Sequence, residues 1–179
     1  MKLFAMTTAA LMIAGAAQAA DFKVTSPDFK DGTVQEAQFS NVFGCTGGNV
    51  SPEISWSGAP EGTKSFVVTM YDKDAPTGSG FWHWVVVDIP GDATSLAAGA
   101  GAAVAKLPEG AGMINNDASV AVFVGACPPP GETHEYKITV KALNVAKLEI
   151  PANATPAVVG FVSNMNKLAE ATIVAKGSR

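Results

Sequence analysis

The stretch Cys127-Pro-Pro-Pro-Gly-Glu-Thr-His-Glu-Tyr-Lys-Ile-Thr-Val-Lys-Ala-Leu143 consists of a stiff turn followed by a segment of alternating character. Within it, residues 135–143 are predicted to form a strand, because Tyr136, Ile138, Val140 and Ala142 recur at every second position and therefore share one face of an extended chain. An apolar face that alternates with polar residues is typical of an antiparallel sheet buried on one side. This stretch predicts a mainly β fold.

Other short runs of apolar, β-branched and aromatic residues predict further strands at 22–26, 65–71, 82–89 and 121–124, with 171–175 as a candidate last strand. Turns rich in Gly and Pro separate these runs at intervals of roughly ten residues. This pattern is typical of a two-sheet antiparallel β-sandwich. The Ala/Gly-rich segment 93–105 fits either a surface loop or a short helix.

One helix is predicted near the C-terminus. Thr155 is a favourable N-cap residue, and Pro156 suits the first helical position. Apolar residues then repeat at helical spacing, and we expect this stripe to face the core: Val158, Phe161, Val162, Met165, Leu168 and Ala169.

The N-terminus has the features of a bacterial secretory signal peptide. Lys2 precedes an apolar stretch at 3–17, and Ala17-Gln-Ala19 forms an A-x-A cleavage site. The sequence therefore predicts a signal peptide at 1–19, one folded domain at 20–179 and a periplasmic location. No segment of transmembrane length is predicted, and no Cys follows the apolar stretch to suggest a lipid anchor.

The charge and the cysteines narrow the function further. The formal net charge is −4 and no basic patch stands out, which argues against nucleic acid as a partner. In an exported chain, the two cysteines, Cys45 and Cys127, are expected to form a disulfide rather than remain as free buried thiols. A zinc site is not expected, because neither a CxxC nor an HxxxH spacing is present.

The two histidines of the chain each lie beside a turn of Pro and Gly. Asp72 and Asp74 leave the predicted strand 65–71 together, and in extended backbone a spacing of two places their side chains on the same side. The same argument places His134 and Tyr136 together. We therefore predict one polar pocket, in which an Asp residue pairs with His83 and raises its pKa.

Such a pocket suits a small anion such as phosphate, since protonated imidazoles and a phenol are hydrogen-bond donors. Each histidine, taken alone, could instead be a core residue whose hydrogen bonds are satisfied within the protein. The two Asp residues could instead stabilise the turn by accepting backbone hydrogen bonds, or act as the acid and base of a glycosidase. The pattern after Asp72 does not match an EF-hand, because it has neither Gly at position six nor Glu at position twelve. No G-x-S-x-G nucleophile motif accompanies Ser79, so we expect no catalytic residues. Because zinc-site spacing and an EF-hand pattern are also lacking, we expect no metal, and no cofactor is expected either.

Three segments resemble the phosphatidylethanolamine-binding protein family, in its bacterial Raf-kinase-inhibitor-like branch. Asp72-Lys-Asp-Ala-Pro76 resembles the family motif D-P-D-A-P, Trp82-His-Trp-Val-Val86 its histidine strand, and Gly125 to Tyr136 its G-x-x-P-P-x-G…H-x-Y box. The resemblance covers essentially the whole predicted mature chain. It implies a two-sheet sandwich with a helix near the C-terminus and a pocket for phosphate-like anions and phospholipid head groups. The resemblance places these residues in that pocket: Asp72, Asp74, Pro76, His83, Pro128, His134 and Tyr136.

The chain departs from the family pattern in two places. Lys73 replaces a proline between the two Asp residues, and alternation predicts that it points away from them. The segment 115–123 lacks the Arg, aromatic and Gly residues of the family's R-N-D-aromatic-G motif. The second departure concerns the wall of the predicted pocket.

These observations favour an exported, non-enzymatic binding or regulatory protein for a small anion or a phospholipid head group. An inhibitor of a protease or kinase that acts by surface contact is one alternative, with an unknown protein target. A weak hydrolase that uses the Asp/His cluster is another. Two ionised carboxylates would repel a phosphate dianion, so they act through the histidines, one is protonated, or they meet an ammonium group.

Overall fold

The computed structural model describes residues 21–179, so the predicted signal peptide at 1–19 lies outside the described residues. The elements are β1 (Lys23–Thr25), β2 (Ile54–Ser57), β3 (Ser65–Asp72), β4 (Phe81–Pro90), β5 (Ser95–Leu96), β6 (Gly112–Met113), β7 (Thr133–Leu143), α1 (Pro156–Met165) and β8 (Lys167–Ser178). Within residues 21–179, no helix has the length and apolar character needed to cross a membrane.

The strands form two sheets. The smaller sheet has the order β1-β2-β5, and the larger has the order β6-β4-β3-β7-β8. Every neighbouring pair of these strands is antiparallel. The predicted two-sheet antiparallel β-sandwich with a helix near the C-terminus is therefore confirmed.

The alternation of β7 builds much of the core between the sheets. Tyr136, Ile138, Val140 and Ala142 are fully buried, and they belong to the main hydrophobic cluster together with Trp56 of the smaller sheet. Their polar neighbours along β7 are half-buried on the other face of the larger sheet. The period-two pattern thus determines which face of β7 meets the core.

The register of the larger sheet positions the predicted pocket. Asp72, the last residue of β3, lies opposite Phe81 at the start of β4 and opposite Tyr136 near the start of β7. The polar residues of three separate segments therefore meet at one end of the sheet. Residues 62 positions apart in the chain, Asp72 and His134, become neighbours in this way.

The helix begins as predicted, but only part of its predicted apolar stripe meets the core: Val162 packs in an apolar cluster, whereas most of the other members are exposed. The side-chain oxygen of Thr155 accepts a hydrogen bond from the backbone N–H of Val158, and Pro156 opens α1. Phe161 and Met165, however, are 67 % and 70 % exposed, and α1 instead buries Val159. The helix packs on the outer face of the larger sheet through this narrower side, where a second apolar cluster forms.

Three further predictions differ from the structure. Segment 121–124 is not a strand, because its backbone bonds go to unrelated neighbours: Phe123 N–H donates to Gly101 O and Val124 N–H donates to His83 O. Leu168 and Ala169 lie outside α1, because the chain enters β8 at Lys167, earlier than the predicted last strand. Segment 93–105 contains β5 and short 3-10 turns, which fits neither predicted alternative fully.

The predicted disulfide between Cys45 and Cys127 is confirmed, with 5.9 Å between the two Cα atoms. It links residues that are 82 positions apart. Cys127 begins the proline-rich segment that leads into β7, so the disulfide ties this segment to the loop that contains Phe43.

Candidate functional site

A pocket of about 230 Å³ opens at the end of the larger sheet where β3, β4 and β7 meet. Its walls come from the Asp72 turn, the start of β4, the proline-rich segment and the disulfide loop. The lining residues are Phe43, Asp72, Ala75, Pro76, Thr77, Phe81, His83, Val124, Gly125, Cys127, Pro129 and His134.

Asp72 connects the turn to a histidine at the base of this pocket. Its side chain is buried, and its Oδ1 accepts hydrogen bonds from the backbone N–H groups of Asp74 at 2.8 Å and Ala75 at 3.1 Å. Its Oδ2 accepts a hydrogen bond from Nδ1 of His134 at 2.7 Å. Three donors therefore compensate the buried carboxylate, as a buried charge requires.

His134 lies between two carboxylates. Its Nδ1 donates to Asp72, and its Nε2 donates at 3.1 Å to Glu132, whose side chain is half exposed. Burial by itself lowers the pKa of His134, but the hydrogen bonds to Asp72 and Glu132 raise it above its ordinary value. Both ring nitrogens face acceptors, so the arrangement favours the imidazolium form.

His83 has the opposite environment. Its Nδ1 donates to the backbone carbonyl of Val124 at 2.8 Å, while its buried Nε2 has no hydrogen-bond partner among residues 21–179. Burial lowers the pKa of His83. The predicted Asp–His83 pair, with its raised pKa, is therefore wrong, because the register of β3 and β7 brings Asp72 to His134 instead.

We expect the pKa of one histidine to lie above, and that of the other below, the ordinary histidine pKa of about 6.5. The pKa of His134 is raised, so its ring holds its proton as the pH rises past that value, whereas His83 stays neutral until the pH falls below it. A pH series of the two imidazole NMR signals measures this, and the variant His83→Gln assigns them. Two signals that titrate together near the ordinary value would contradict the geometry.

Tyr136 lies next to both histidines and is fully buried, so it does not itself line the pocket. The centre of its ring is 5.3 Å from that of His83 and 6.4 Å from that of His134. Within the described residues, its hydroxyl has no hydrogen-bond partner. Burial and the nearby charge of Asp72 raise the pKa of Tyr136, so the phenol remains a neutral donor.

Asp74 and Pro128 do not line the pocket, although Pro76 does. The carboxylate of Asp74 accepts hydrogen bonds from Glu135 N–H and from Lys73 Nζ, both at 2.8 Å. The prediction that Asp72 and Asp74 face the same side is wrong, because β3 ends at Asp72 and the chain then turns. For the same reason Lys73 does not point away from Asp74. Pro128 is buried, and Pro129 lines the pocket in its place.

The segment that departs from the family pattern supports the histidine strand through side-chain bonds. Asn116 is buried, and its Nδ2 donates to the carbonyls of His83 at 3.1 Å and Val122 at 2.9 Å. Asp117 Oδ2 accepts a hydrogen bond from the backbone N–H of Trp82 at 2.8 Å. These contacts fix the backbone on both sides of the His83 ring.

Phe43 and Phe81 line the pocket without having been predicted there, and Gly125 was predicted only as the first residue of the proline box. A Cβ at Gly125 would lie 2.4 Å from the carbonyl oxygen of Gln38, so the wall at this point requires glycine. Phe43 is 66 % exposed and has a φ of +58°, an uncommon conformation for a bulky residue. Glu132 stands in the quoted proline box, but only the folded structure places it on His134.

A comparison with known families identifies the family of this chain. The family model described as phosphatidylethanolamine-binding protein matches residues 25–178. The chain belongs to the phosphatidylethanolamine-binding protein family.

Known relatives are similar to this chain over most of its length. The UPF0098 protein YbcL of Escherichia coli (strain K12) is 49 % identical over 178 residues, which cover 97 % of this chain and 96 % of the relative. The UPF0098 protein YbhB of the same organism is 44 % identical over 86 % of this chain and 98 % of the relative. The crystal structure of Escherichia coli YbcL, described as a new member of the mammalian PEBP family, matches with a TM-score of 0.85 and 47 % identity, covering 89 % of this chain and 99 % of that chain.

Proposed function

We propose that this family member is an exported, non-catalytic protein whose pocket binds a phosphate-like anion, either free or as a phospholipid head group. The observation that carries the proposal is the pair of buried polar atoms beside the pocket, His83 Nε2 and Tyr136 Oη, that have no partner in residues 21–179. Because Nδ1 of His83 donates to Val124, its Nε2 is an acceptor, which suits a P–OH group or the ammonium of an ethanolamine head group, whereas the Tyr136 hydroxyl is a donor. Buried polar atoms are normally hydrogen-bonded, so such exceptions call for an explanation, and a missing ligand is one.

The charges of the pocket are compatible with an anion. Asp72 is compensated by two backbone N–H groups and by His134, while Asp74 lies outside the pocket and pairs with Lys73. A carboxylate next to a phosphate site would repel the ligand unless it is compensated. The geometry favours an arrangement in which Asp72 does not contact the phosphate but holds His134, which does. Glu132, half exposed, is the carboxylate that an incoming anion displaces from His134.

A non-catalytic role is supported by the lining groups. Among the described residues that line the pocket, Thr77 alone carries a side-chain hydroxyl. That hydroxyl already donates to the backbone carbonyl of Gly80, so it is not placed as a nucleophile. Cys127 is held in the disulfide and offers no thiolate. Export is supported by this disulfide, which persists in oxidising compartments, and by the signal-like sequence at 1–19.

The test is calorimetric titration of the protein with inorganic phosphate and with phosphoethanolamine at about pH 6 and about pH 8. His134 is the proton-bearing group with a raised pKa, so it is charged at the lower pH and loses its proton as the pH rises through that pKa. We expect tighter binding at the lower pH. Absence of binding at both pH values would overturn the proposal, and affinity that stays constant through the pH at which the NMR signal of the His134 imidazole titrates would exclude the role of His134.

Substitutions at His134 and Glu132 sharpen this test. His134→Gln should weaken phosphate binding by roughly tenfold or more, because hydrogen bonds to charged groups are worth about 1.5–3 kcal/mol. Glu132→Gln should tighten binding, since it removes the competing carboxylate from Nε2. The exposed Glu109 lies outside the pocket, so Glu109→Gln makes the same charge change and should leave the affinity unaltered.

A further inference from the structure

A second groove, of about 250 Å³, lies on the outer face of the larger sheet. One wall is α1, and the floor is formed by residues of β3, β4 and β7 that point away from the core. It shares no lining residue with the pocket described above. The residues that give this groove its character are Tyr71, Trp82, Thr139, Lys137, Lys141 and Lys167.

The groove holds more positive than negative charge, because its lining has three lysines and one carboxylate, that of Glu170. Lys141 is half-buried, and its Nζ donates to two uncharged acceptors, Asn164 Oδ1 at 2.7 Å and Ser163 Oγ at 3.2 Å. Burial lowers the pKa of Lys141. Lys137 forms no ion pair among the described residues, whereas Lys167 pairs with Glu170 at 2.8 Å. Lys141 lies opposite Glu170 in the sheet register, but the two form no ion pair, and Glu170 pairs with Lys167 instead. Lys137 and Lys141 are therefore partly desolvated ammonium groups without a direct carboxylate contact among the described residues, which favours an anion.

An aromatic surface lies beside the first of these lysines. Tyr71 stands opposite both Trp82 and Lys137 in the sheet, and the ring centres of Tyr71 and Trp82 are 4.5 Å apart. The hydroxyl of Tyr71 donates to the carbonyl of Ser79 at 2.7 Å, which holds the ring in place. The indole N–H of Trp82 donates no hydrogen bond within residues 21–179, so it is available to a ligand.

Hydroxyl groups occupy the stretch between the two lysines. Thr69 lies opposite Thr139, and the hydroxyls of Thr139 and Thr172 are 2.8 Å apart across β7 and β8. Lys137 and Lys141 are four residues apart on one strand, or about 13 Å at the rise of an extended chain. That distance accommodates about two pyranose rings, and hydroxyl groups are suitable partners for their hydroxyls.

We propose that this groove binds an acidic saccharide. One ring packs on Trp82, the ring hydroxyls meet the threonine hydroxyls, and a carboxylate meets the charged Nζ of Lys141 or Lys137. A simple inorganic anion would leave the aromatic surface unused, and an uncharged sugar would leave the two lysines uncompensated. This site is independent of the anion pocket and does not rest on its function.

The test uses digalacturonate as the probe, with cellobiose and inorganic sulfate as comparisons, and follows the intrinsic tryptophan fluorescence of the full protein. Trp56 and Trp84 are buried, so Trp82 is the indole within reach of a ligand in the groove. We expect digalacturonate to bind and to change the emission, and both comparison compounds to bind at least about tenfold more weakly. Absence of digalacturonate binding, or equal binding of either comparison compound, would overturn the proposal.

Two lysine variants locate the bound saccharide. Lys141→Gln and Lys137→Gln should each weaken digalacturonate binding by roughly tenfold, since each removes a charge-assisted contact. Lys106→Gln, at an exposed lysine outside the groove, is the matched control and should have no effect. Phosphate binding at the first pocket should be unchanged in all three variants. Digalacturonate affinity that is unaltered in both groove variants would place the saccharide elsewhere.

Discussion

Replacing Asp72 by alanine is expected to lower the free energy of unfolding by about 3–5 kcal/mol, the cost typical of removing one partner of a buried ion pair. The carboxylate accepts hydrogen bonds from Asp74 N–H, Ala75 N–H and the imidazole of His134. Without it, the turn loses its side-chain acceptor and the buried imidazolium loses its counter-charge. Denaturant unfolding of the variant and the parent protein measures the loss.

Asp74→Ala is the matched control for this result. Asp74 lies two residues away, but its carboxylate is partly exposed, and it pairs with the exposed Lys73 and accepts a single backbone hydrogen bond, from Glu135 N–H. Surface ion pairs of this kind contribute about 0–1 kcal/mol. A loss in Asp72→Ala no larger than that in Asp74→Ala would show that the buried pair with His134 does not stabilise the fold.

The second large effect is expected from the disulfide. Reduction, or the double substitution Cys45→Ala and Cys127→Ala, should lower the free energy of unfolding by about 4–5 kcal/mol on the chain-entropy model. The link joins residues 82 positions apart and so restricts the unfolded chain strongly. Because Cys127 lines the pocket, we also expect weaker phosphate binding.

Unfolding in denaturant with and without reductant separates stabilisation by the disulfide from any other effect of the reductant. The parent protein should shift on reduction, whereas the double alanine variant should unfold at the same denaturant concentration under both conditions. A shift in the parent protein of less than about 1 kcal/mol would contradict the expected stabilisation. A shift in the variant would mean that the reductant acts at another place.

The strands were predictable because their signal is local. Alternation in β7 and β-branched runs in β3 and β4 depend only on neighbouring residues, and the structure confirms all three strands within one or two positions. The start of α1 was predictable for the same reason, from Thr155 and Pro156. The disulfide followed from the presence of only two cysteines in a chain with a signal-like N-terminus.

The helix face could not be predicted in this way. A repeat of apolar residues indicates that a helix has an apolar side, but it does not say whether another element covers it. In the structure, the side that contains Val159 meets the sheet, while Phe161 and Met165 remain exposed. Segment 121–124 shows the same limit, because its apolar residues are buried partly as a pocket wall and not as a strand.

The sequence by itself determined the fold class, the family and the residue types of the pocket, because alternation, turn residues and short motifs are properties of neighbouring positions. The tertiary structure alone decided that Asp72 pairs with His134 and not with His83, that Asp74 turns outward, and that Glu132 contacts His134. It alone assembled the lysines and aromatic rings of the outer groove. These contacts depend on the register of strands that are distant in the chain, and register is set by the packing of the whole sheet.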